Sequence, residues 1–327
     1  MTGDRRQPAV SHHGAAALYV PGGAGGGADL GAVGVHEGDD DGDRVVIFRF
    51  SEGSKDLSEG QIRVLEDNMT ACVGNKCPGR KKLRFRPFKA LGHFRKLVAD
   101  KEDTEQVFHI SECLPSKAFF EQAKAFCASE KGRALMESEP YLPTVLDDHD
   151  ALLKLPEGSV AHAYVAFMRR EGLTAAGLVE ESERVRRPKY GDQMEWYGQR
   201  TRDTHDLVHV LTGYGRDALG EQCALAFSYG QDRGWTALFL AWAGALEIRR
   251  RVKIDAPVFK AVGEAQRMGT AAQRIIEQDV RALLAEPLDA ARARLGIKPT
   301  TYYTKAHSVY RSRGIDPYNF LAKPVAA

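Results

Sequence analysis

The 327-residue sequence lacks any run of about 20 consecutive apolar residues, the length a helix needs to cross a bilayer. It also lacks a charge bias: 46 Lys and Arg against 44 Asp and Glu leave a net charge of +2, which gives no general electrostatic case for nucleic acid as partner. Cysteine is scarce. The five present, Cys72, Cys77, Cys113, Cys127 and Cys223, are odd in number and irregular in spacing, which makes a poor disulfide framework and fits a reducing compartment. Cys72 and Cys77 have no second pair to complete a structural zinc knuckle. The opening stretch MTGDRRQPAVSHHGAAALYVPGGAGGGADLG has no compact apolar run ahead of a small-residue cleavage site, so it does not read as a secretory signal. Together these absences predict a protein that stays in the cytosol or lies on a membrane surface. Alternating β patterns and internal repeats are missing from the main region as well.

What is present is helical. Hydrophobic residues make up 43% and charged residues 28% of the chain, enough for a real core. Residues 1–43 are rich in Gly, Ala and Asp and are expected to be disordered, because they can bury too little apolar surface to offset the entropy of ordering. Residues 44–88 form a poorly defined extension holding a β-like run, VVIFRF (45–50), and a basic patch, GRKKLRFRPFK (79–89). That patch reads more simply as a solvated linker than as a binding site, and Met69 could serve as an alternative start. From 89 to 298 the apolar spacing predicts a mainly α, bundle-like domain. The stretch 115–140 carries Phe119, Phe120, Ala123, Phe126 and Cys127 on one face and is stopped by Pro140. After a turn, 147–173 puts Val160, Tyr164, Phe167 and Met168 in one stripe, with Gly172 suited to the C-terminal cap. A helix is expected over 192–212, ending at Gly213-Tyr214-Gly215. Another should run from Arg216 or Asp217 to about Gly230, and WTALFLAWAGALEI (235–248) is apolar almost all round. A further helix opens at Asp255-Ala256-Pro257, and 273–297 gives the last regular pattern. The tail, 299–327, is aromatic and basic and is expected to be ordered only by docking.

The chemistry concentrates in RDTHDLVHVLTGYGRDALGE (202–221). Residues four apart on a helix stand one above the other, so His205 and His209 can offer two imidazoles to one ion. Asp206, on the adjoining face, can reach the same ion or orient a ligand. The distance from His209 to Glu221 suffices to finish the helix, turn through the two glycines and begin an antiparallel helix with Glu221 in its first turn. Two imidazoles with one or two carboxylates suit Zn²⁺ and also non-haem iron. Asp rather than Glu after the first histidine argues against the HExxH peptidase arrangement. An HxxxH pair also arises by chance on amphipathic helices, so a polar face that happens to hold histidines stays open at this point. His149, in DDHD, reads as a residue of a solvated turn and His162 as a helix-surface residue. The adjacent His205-Asp206 raises an HD-type phosphohydrolase alternative, for which His162 with Asp232 or Asp255 would have to complete the ligand set. A metallohydrolase of simple esters or phosphates is a further option.

The pattern His205-Asp206-x-x-His209, eleven residues, then Glu221 resembles that of the coenzyme Q biosynthesis protein 4 family. LPEGSVAHAYVAF (155–167), the Gln-Arg-x-Arg run of GQRTRDTHDLVHVLTG and EPLDAARARLGI (286–297) are similar to that family too, and the likeness covers about 86–298. It implies a mainly helical fold and a divalent metal, zinc or alternatively iron, held by His205, Asp206, His209 and Glu221, with Asp206 and Glu221 as catalytic carboxylates. It further implies oxidative decarboxylation at carbon 1 of a polyprenylated 4-hydroxybenzoate-type precursor of ubiquinone. The alternative is a non-catalytic lipid-binding scaffold with a structural metal that gathers the other ubiquinone-pathway enzymes. Either role implies peripheral attachment to the inner membrane, from the cytoplasm in a bacterium or from the matrix in a mitochondrion. The segment 235–253 is either a buried core helix or a lipid-tail groove and membrane contact, with Trp235, Phe239, Trp242, Arg249, Arg250 and Arg251 the residues concerned. A homo-oligomer is among the expected partners.

Overall fold

The computed structural model describes residues 34–37, 44–47, 83–100, 103 and 105–318. The chain divides into two units, Met1–Gly60 and Gln61–Ala327. In the first, strand β1 (Gly34–Glu37) pairs antiparallel with β2 (Arg44–Ile47), Val35 opposite Val46. The β-like run therefore begins one residue early, and four residues of the stretch expected to be disordered carry a strand. The rest of 1–43, the Cys72/Cys77 pair, Met69 and the first part of the basic patch lie outside the described residues.

The second unit is mainly α-helical. It opens with α1 (Pro87–Ala99) and α2 (Glu105–Cys113), followed by α3 (Lys117–Ala128) and α4 (Glu130–Ser138). Ser129 breaks what the apolar spacing reads as one helix, because its side chain accepts from Gly132 N and caps a fresh start. Two short turns, α5 (Pro143–Leu146) and α6 (His149–Leu152), lead to α7 (Val160–Glu171). This helix ends at Gly172 in the left-handed region, φ 66°, as its sequence predicts. Next come α8 (Ala175–Arg184), α9 (Gln193–Asp203), α10 (His205–Thr212), α11 (Ala218–Asp232), α12 (Trp235–Arg251) and α13 (Val258–Ala271). The 273–297 pattern resolves into a 3-10 turn (Ile275–Glu277), α14 (Val280–Ala285) and α15 (Leu288–Leu295). The tail then forms α16 (Tyr302–Ser312).

The main core is built where α7, α10, α11, α13 and α16 meet, with Tyr164, Phe167, Leu207, Leu211, Phe227, Val262 and Tyr310 inside it. The backbones of α11 and α13 approach so closely that a Cβ on Gly230 would lie 2.5 Å from the Gln266 carbonyl oxygen. A smaller cluster packs α3 and α4 on Tyr197 of α9, and a third sets the α1–α2 pair against Leu240 of α12.

One polar tie crosses this apolar frame. Arg200 of α9 and Glu139 form an ion pair at 2.8 Å with both side chains 1% exposed. Arg200 also donates to the carbonyls of Ile276 (2.7 Å) and Gln278 (2.5 Å), while Glu139 accepts from Arg281 N at 2.9 Å. The Gln-Arg-x-Arg run thus includes a buried brace that fixes α9, and with it the start of α10, to the segment after α13.

Candidate metal centre

The helix expected over 192–212 is two helices. Thr204, at φ −87° and ψ 0°, separates α9 from α10 and makes His205 the first residue of the second. Gly213, at φ 77°, closes α10 in the left-handed conformation that glycine adopts without steric cost. Asp217 then starts α11: its Oδ1 accepts from Leu219 N (3.1 Å) and Gly220 N (3.2 Å). The intervening turn is tight, since a Cβ on Gly220 would fall 1.9 Å from the Gly215 carbonyl oxygen. Only a residue without a side chain fits between the turn and the first loop of α11, and Glu221 follows it directly.

Three donor atoms converge across this corner: one each from His205, His209 and Glu221, all within 4.8 Å of one another. The Nε2 atoms of His205 and His209 are 3.3 Å apart, and Glu221 Oε2 lies 3.7 Å from the first and 3.5 Å from the second. Four-coordinate zinc with nitrogen and oxygen ligands at about 2.1 Å has donor–donor edges of about 3.4 Å, so the triangle has the size such an ion needs. Its orientation is set from behind. His209 Nδ1 lies 3.0 Å from the Tyr214 carbonyl oxygen. A carbonyl can only accept, so Nδ1 carries the proton and, in the neutral ring, the Nε2 lone pair faces His205 and Glu221. The Phe167 ring stacks on His209 at 5.6 Å and covers its apolar side. His209 is wholly buried, whereas the side chains of His205 and Glu221 are each 28% exposed, so the triangle can be reached from solvent.

Burial alone would push the His209 imidazole down, but the Glu221 carboxylate, the Tyr214 carbonyl and Asp206 outweigh it and raise its pKa above 6.5. Burial would likewise push Glu221 up; the two imidazoles instead hold it well below 4.5. Each group thus favours the charged form of the other, and a cation at the triangle would compete with a proton on His209 Nε2.

Asp206 is buried beside His209 and Tyr164 but is not one of the three converging donors. The HD-hydrolase ligand set does not assemble. His162 Nε2 sits 2.9 Å from the Leu155 carbonyl oxygen and 3.2 Å from that of Leu153, Asp232 accepts from Gly234 N at 2.8 Å, and Asp255 is an exposed partner of Arg249. His162 is a half-buried cap of the preceding loop rather than a free surface residue, and His149 buries its Nε2 in α6 instead of lying in a solvated turn. Four further residues at this corner escape the sequence reading. Arg216 Nε approaches Glu221 Oε1 at 3.3 Å. Asp217 is buried under the turn, and Tyr303 and His307 of α16 both bond to it. Their i, i+4 spacing in the aromatic tail was the available signal.

Residues 235–251 present two faces. Phe239 turns inward, its ring edge-on to Phe94 at 5.6 Å, while Trp235 (45% exposed), Trp242 (37%) and Leu246 (52%) face outward. Trp242 stacks on the exposed Phe259 of α13 at 6.2 Å. Of the basic run, Arg249 bonds to the Ile254 carbonyl, and Arg251 reaches Glu247 (2.6 Å) and the Val98 carbonyl (3.3 Å). Arg250 is exposed. Among the described residues no helix is long and apolar enough to cross a membrane.

A helical unit with a two-histidine, one-glutamate cluster astride a helix–turn–helix corner is the class this architecture defines. The profile of the family described as "Coenzyme Q (ubiquinone) biosynthesis protein Coq4" matches residues 90–301, and the chain belongs to that family. The mitochondrial ubiquinone biosynthesis protein COQ4 homolog of Aedes aegypti is 36% identical over 95 residues, 28% of this chain and 32% of that protein. The mitochondrial homolog of Rattus norvegicus is 27% identical over 172 residues, covering 52% of this chain and 62% of the other. The chain thus spans about a third to three fifths of the length of these curated relatives. A crystal structure from Nostoc punctiforme PCC 73102, provisionally described as a ubiquinone biosynthesis protein, shares the fold. It superimposes with a TM-score of 0.50 at 22% identity, over 66% of this chain and all of the other.

Proposed function

We propose that this chain acts in ubiquinone biosynthesis. On this reading His205, His209 and Glu221 hold a divalent cation, zinc on its donor set with iron as the alternative, for removal of the carboxyl group at carbon 1 of a polyprenylated 4-hydroxybenzoate-type precursor. The observation that carries the proposal is the donor triangle, with edges of 3.3, 3.5 and 3.7 Å, a fixed His209 tautomer and an open side. When bound, the cation supplies positive charge against the carboxylate and phenolate oxygens of the substrate, and only a redox metal could also activate dioxygen. The protein's own groups do the rest. Arg216, at the rim beside Glu221, can orient an incoming carboxylate. Glu221, and Asp206 next to His209, are the carboxylates able to move a proton. Carbon dioxide leaves the ring and one atom of dioxygen takes its place; the other atom leaves as water, reduced by the two electrons and two protons that the ring gives up in passing from hydroquinone to quinone.

The test pairs metal analysis of the purified protein with its incubation with a polyprenyl-hydroxybenzoate under dioxygen. Decarboxylated product from metal-loaded wild type, absent for Glu221→Ala, is the expected result. Stoichiometric metal without turnover, in a protein that still extracts prenylated quinones, favours the scaffold reading instead. The outward row of Trp235, Trp242 and Leu246 favours a lipid or membrane contact in either case. It offers an apolar surface to a polyprenyl tail, to an inner-membrane face or to another enzyme of the pathway. Arg250 is the one arginine of the run positioned to meet an anionic headgroup; Arg249 and Arg251 are engaged in closing the helix end.

A further inference from the structure

The matched segment of the family ends at residue 301, one residue before α16 begins. Yet α16 touches the turn at three points. The Tyr303 ring packs edge-on against Tyr214 at 5.2 Å, and its hydroxyl accepts from Gly215 N at 2.9 Å and donates to Asp217 Oδ2. One turn further on, His307 Nε2 donates to Asp217 Oδ1 at 3.0 Å. Asp217 is 2% exposed, so each of its oxygens must find its partners inside the protein. The turn in turn holds both halves of the donor triangle. Its Tyr214 carbonyl fixes the His209 tautomer, and its Asp217 caps α11 and accepts from Glu221 N at 3.0 Å through its own carbonyl.

We infer that α16 is part of the metal centre: Tyr303 and His307 are positioning residues that clamp the Tyr214–Asp217 turn, and through it set the His209 tautomer and the placement of Glu221. This inference rests on the metal reading above for its functional meaning, and its chemistry is local. A phenol that both accepts from Gly215 N and donates to Asp217 fixes the distance between those two groups, which a phenylalanine ring of the same shape cannot do. The Tyr318 hydroxyl crowds the same spot: a Cβ on Gly215 would lie 2.5 Å from it and 3.0 Å from the Tyr303 hydroxyl.

The full-length protein with Tyr303→Phe, His307→Gln and Ala306→Gly tests this. Ala306→Gly loosens the same helix without touching the turn. Cobalt(II) titration followed by visible absorption reads the site, and long-range ¹H–¹⁵N correlation of the metal-free protein, at a pH alkaline enough for the imidazole to be neutral, reads the His209 tautomer. We expect Tyr303→Phe to weaken cobalt binding about 10- to 100-fold, the usual scale for outer-shell changes. Its visible bands should alter and the Nδ1–H form of His209 should give way to a mixture. His307→Gln should do the same to a smaller extent, while Ala306→Gly should lower the melting temperature and leave the cobalt affinity within about twofold of wild type. Wild-type affinity and an unchanged tautomer in both Tyr303→Phe and His307→Gln would overturn the inference, and so would equal losses in all three variants. If wild type takes up no cobalt, the metal reading fails. The tautomer measurement then still decides whether α16 holds the turn.

Discussion

The α10–turn–α11 corner and the outward face of α12 lie fourteen residues apart in sequence, from Glu221 to Trp235, and are built on opposite principles. At the corner nearly every group is held by another: glycine backbone against backbone, His209 by Tyr214, Asp217 by Tyr303 and His307. On α12 large apolar side chains stand partly in solvent, Trp242 meeting the Phe259 ring and donating from Nε1 to Gln266 Oε1 at 3.2 Å. A corner so over-determined has its geometry fixed before any ligand arrives, which is what a coordination site needs. A face so lightly constrained suits contact with something soft or adaptable. If that comparison is right, substitutions at the corner should be costly and specific, and substitutions on the face cheap for the fold.

The largest effect is expected where the corner is anchored to the body. Arg200→Ala leaves Glu139 charged and buried and frees two carbonyls, so unfolding should become easier by about 3–5 kcal/mol, measured by urea denaturation. Gly220→Ala meets the Gly215 carbonyl oxygen at 1.9 Å and should distort the turn itself. Its expected mark is loss of metal uptake beyond whatever stability it costs. A Gly220→Ala protein that binds metal as wild type does would break the claim that the corner is rigid.

Next comes ligand linkage. At a free zinc concentration about 100 times the dissociation constant, an intact site should stabilise the fold by about 2.7 kcal/mol. Thermal shift with and without zinc should show this for wild type and show nothing for His209→Ala. Equal shifts in the two would place the bound ion elsewhere.

Much of this was legible in the residues. The pairing of His205 with His209, the turn at Gly213 and the arrival of Glu221 early in the next helix follow from helical period and capping chemistry alone. The cap at Gly172 does too. What the sequence could not show was which polar groups would be used from a distance. Thr204 ends α9 at φ −87° and ψ 0°, and no local breaker in the sequence announces it. Tyr303 and His307 lie 82 and 86 residues beyond Glu221, and only the docking of α16 brings them to Asp217. Asp206 shows the converse. Its spacing fits a ligand set, yet its carboxylate is not among the donors that converge and the triangle is left to three residues. On α12 the all-round apolar sequence hid the division between Phe239, which faces in, and Trp235, Trp242 and Leu246, which do not.

A smaller effect sharpens the account of the corner without metal. His209 is raised above its ordinary 6.5, so its contribution is complete below that pH and is lost as pH climbs through the raised value. Glu221 is held below its ordinary 4.5, so its contribution is complete above 4.5 and is lost as pH falls through the lowered value. Both act fully only between about pH 4.5 and 6.5. The stability gap between metal-free wild type and Glu221→Gln should be widest in that window and shrink on both sides. A gap that grew steadily toward alkaline pH would mean that the histidine is not the partner of the carboxylate.

The smallest cost to folding is expected on the outward face. Trp235 and Leu246 are about half exposed, so Trp235→Ser with Leu246→Ser removes little apolar surface that folding had taken from water. Each change should move stability by no more than about 0.5 kcal/mol, the usual range for surface positions free of a buried partner. If the row is a contact surface, the same double variant should nonetheless lose sedimentation with anionic phospholipid vesicles while keeping wild-type metal uptake. Adding Arg250→Gln should weaken binding further, and most at low salt, where a headgroup contact is least screened. Loss of metal uptake in the double variant would join the two regions into one structural unit and end the contrast. Retained vesicle binding would leave the face without its lipid role. The informative result is a separation, with lipid binding gone and the metal corner untouched, because only two regions built for different purposes can be broken independently.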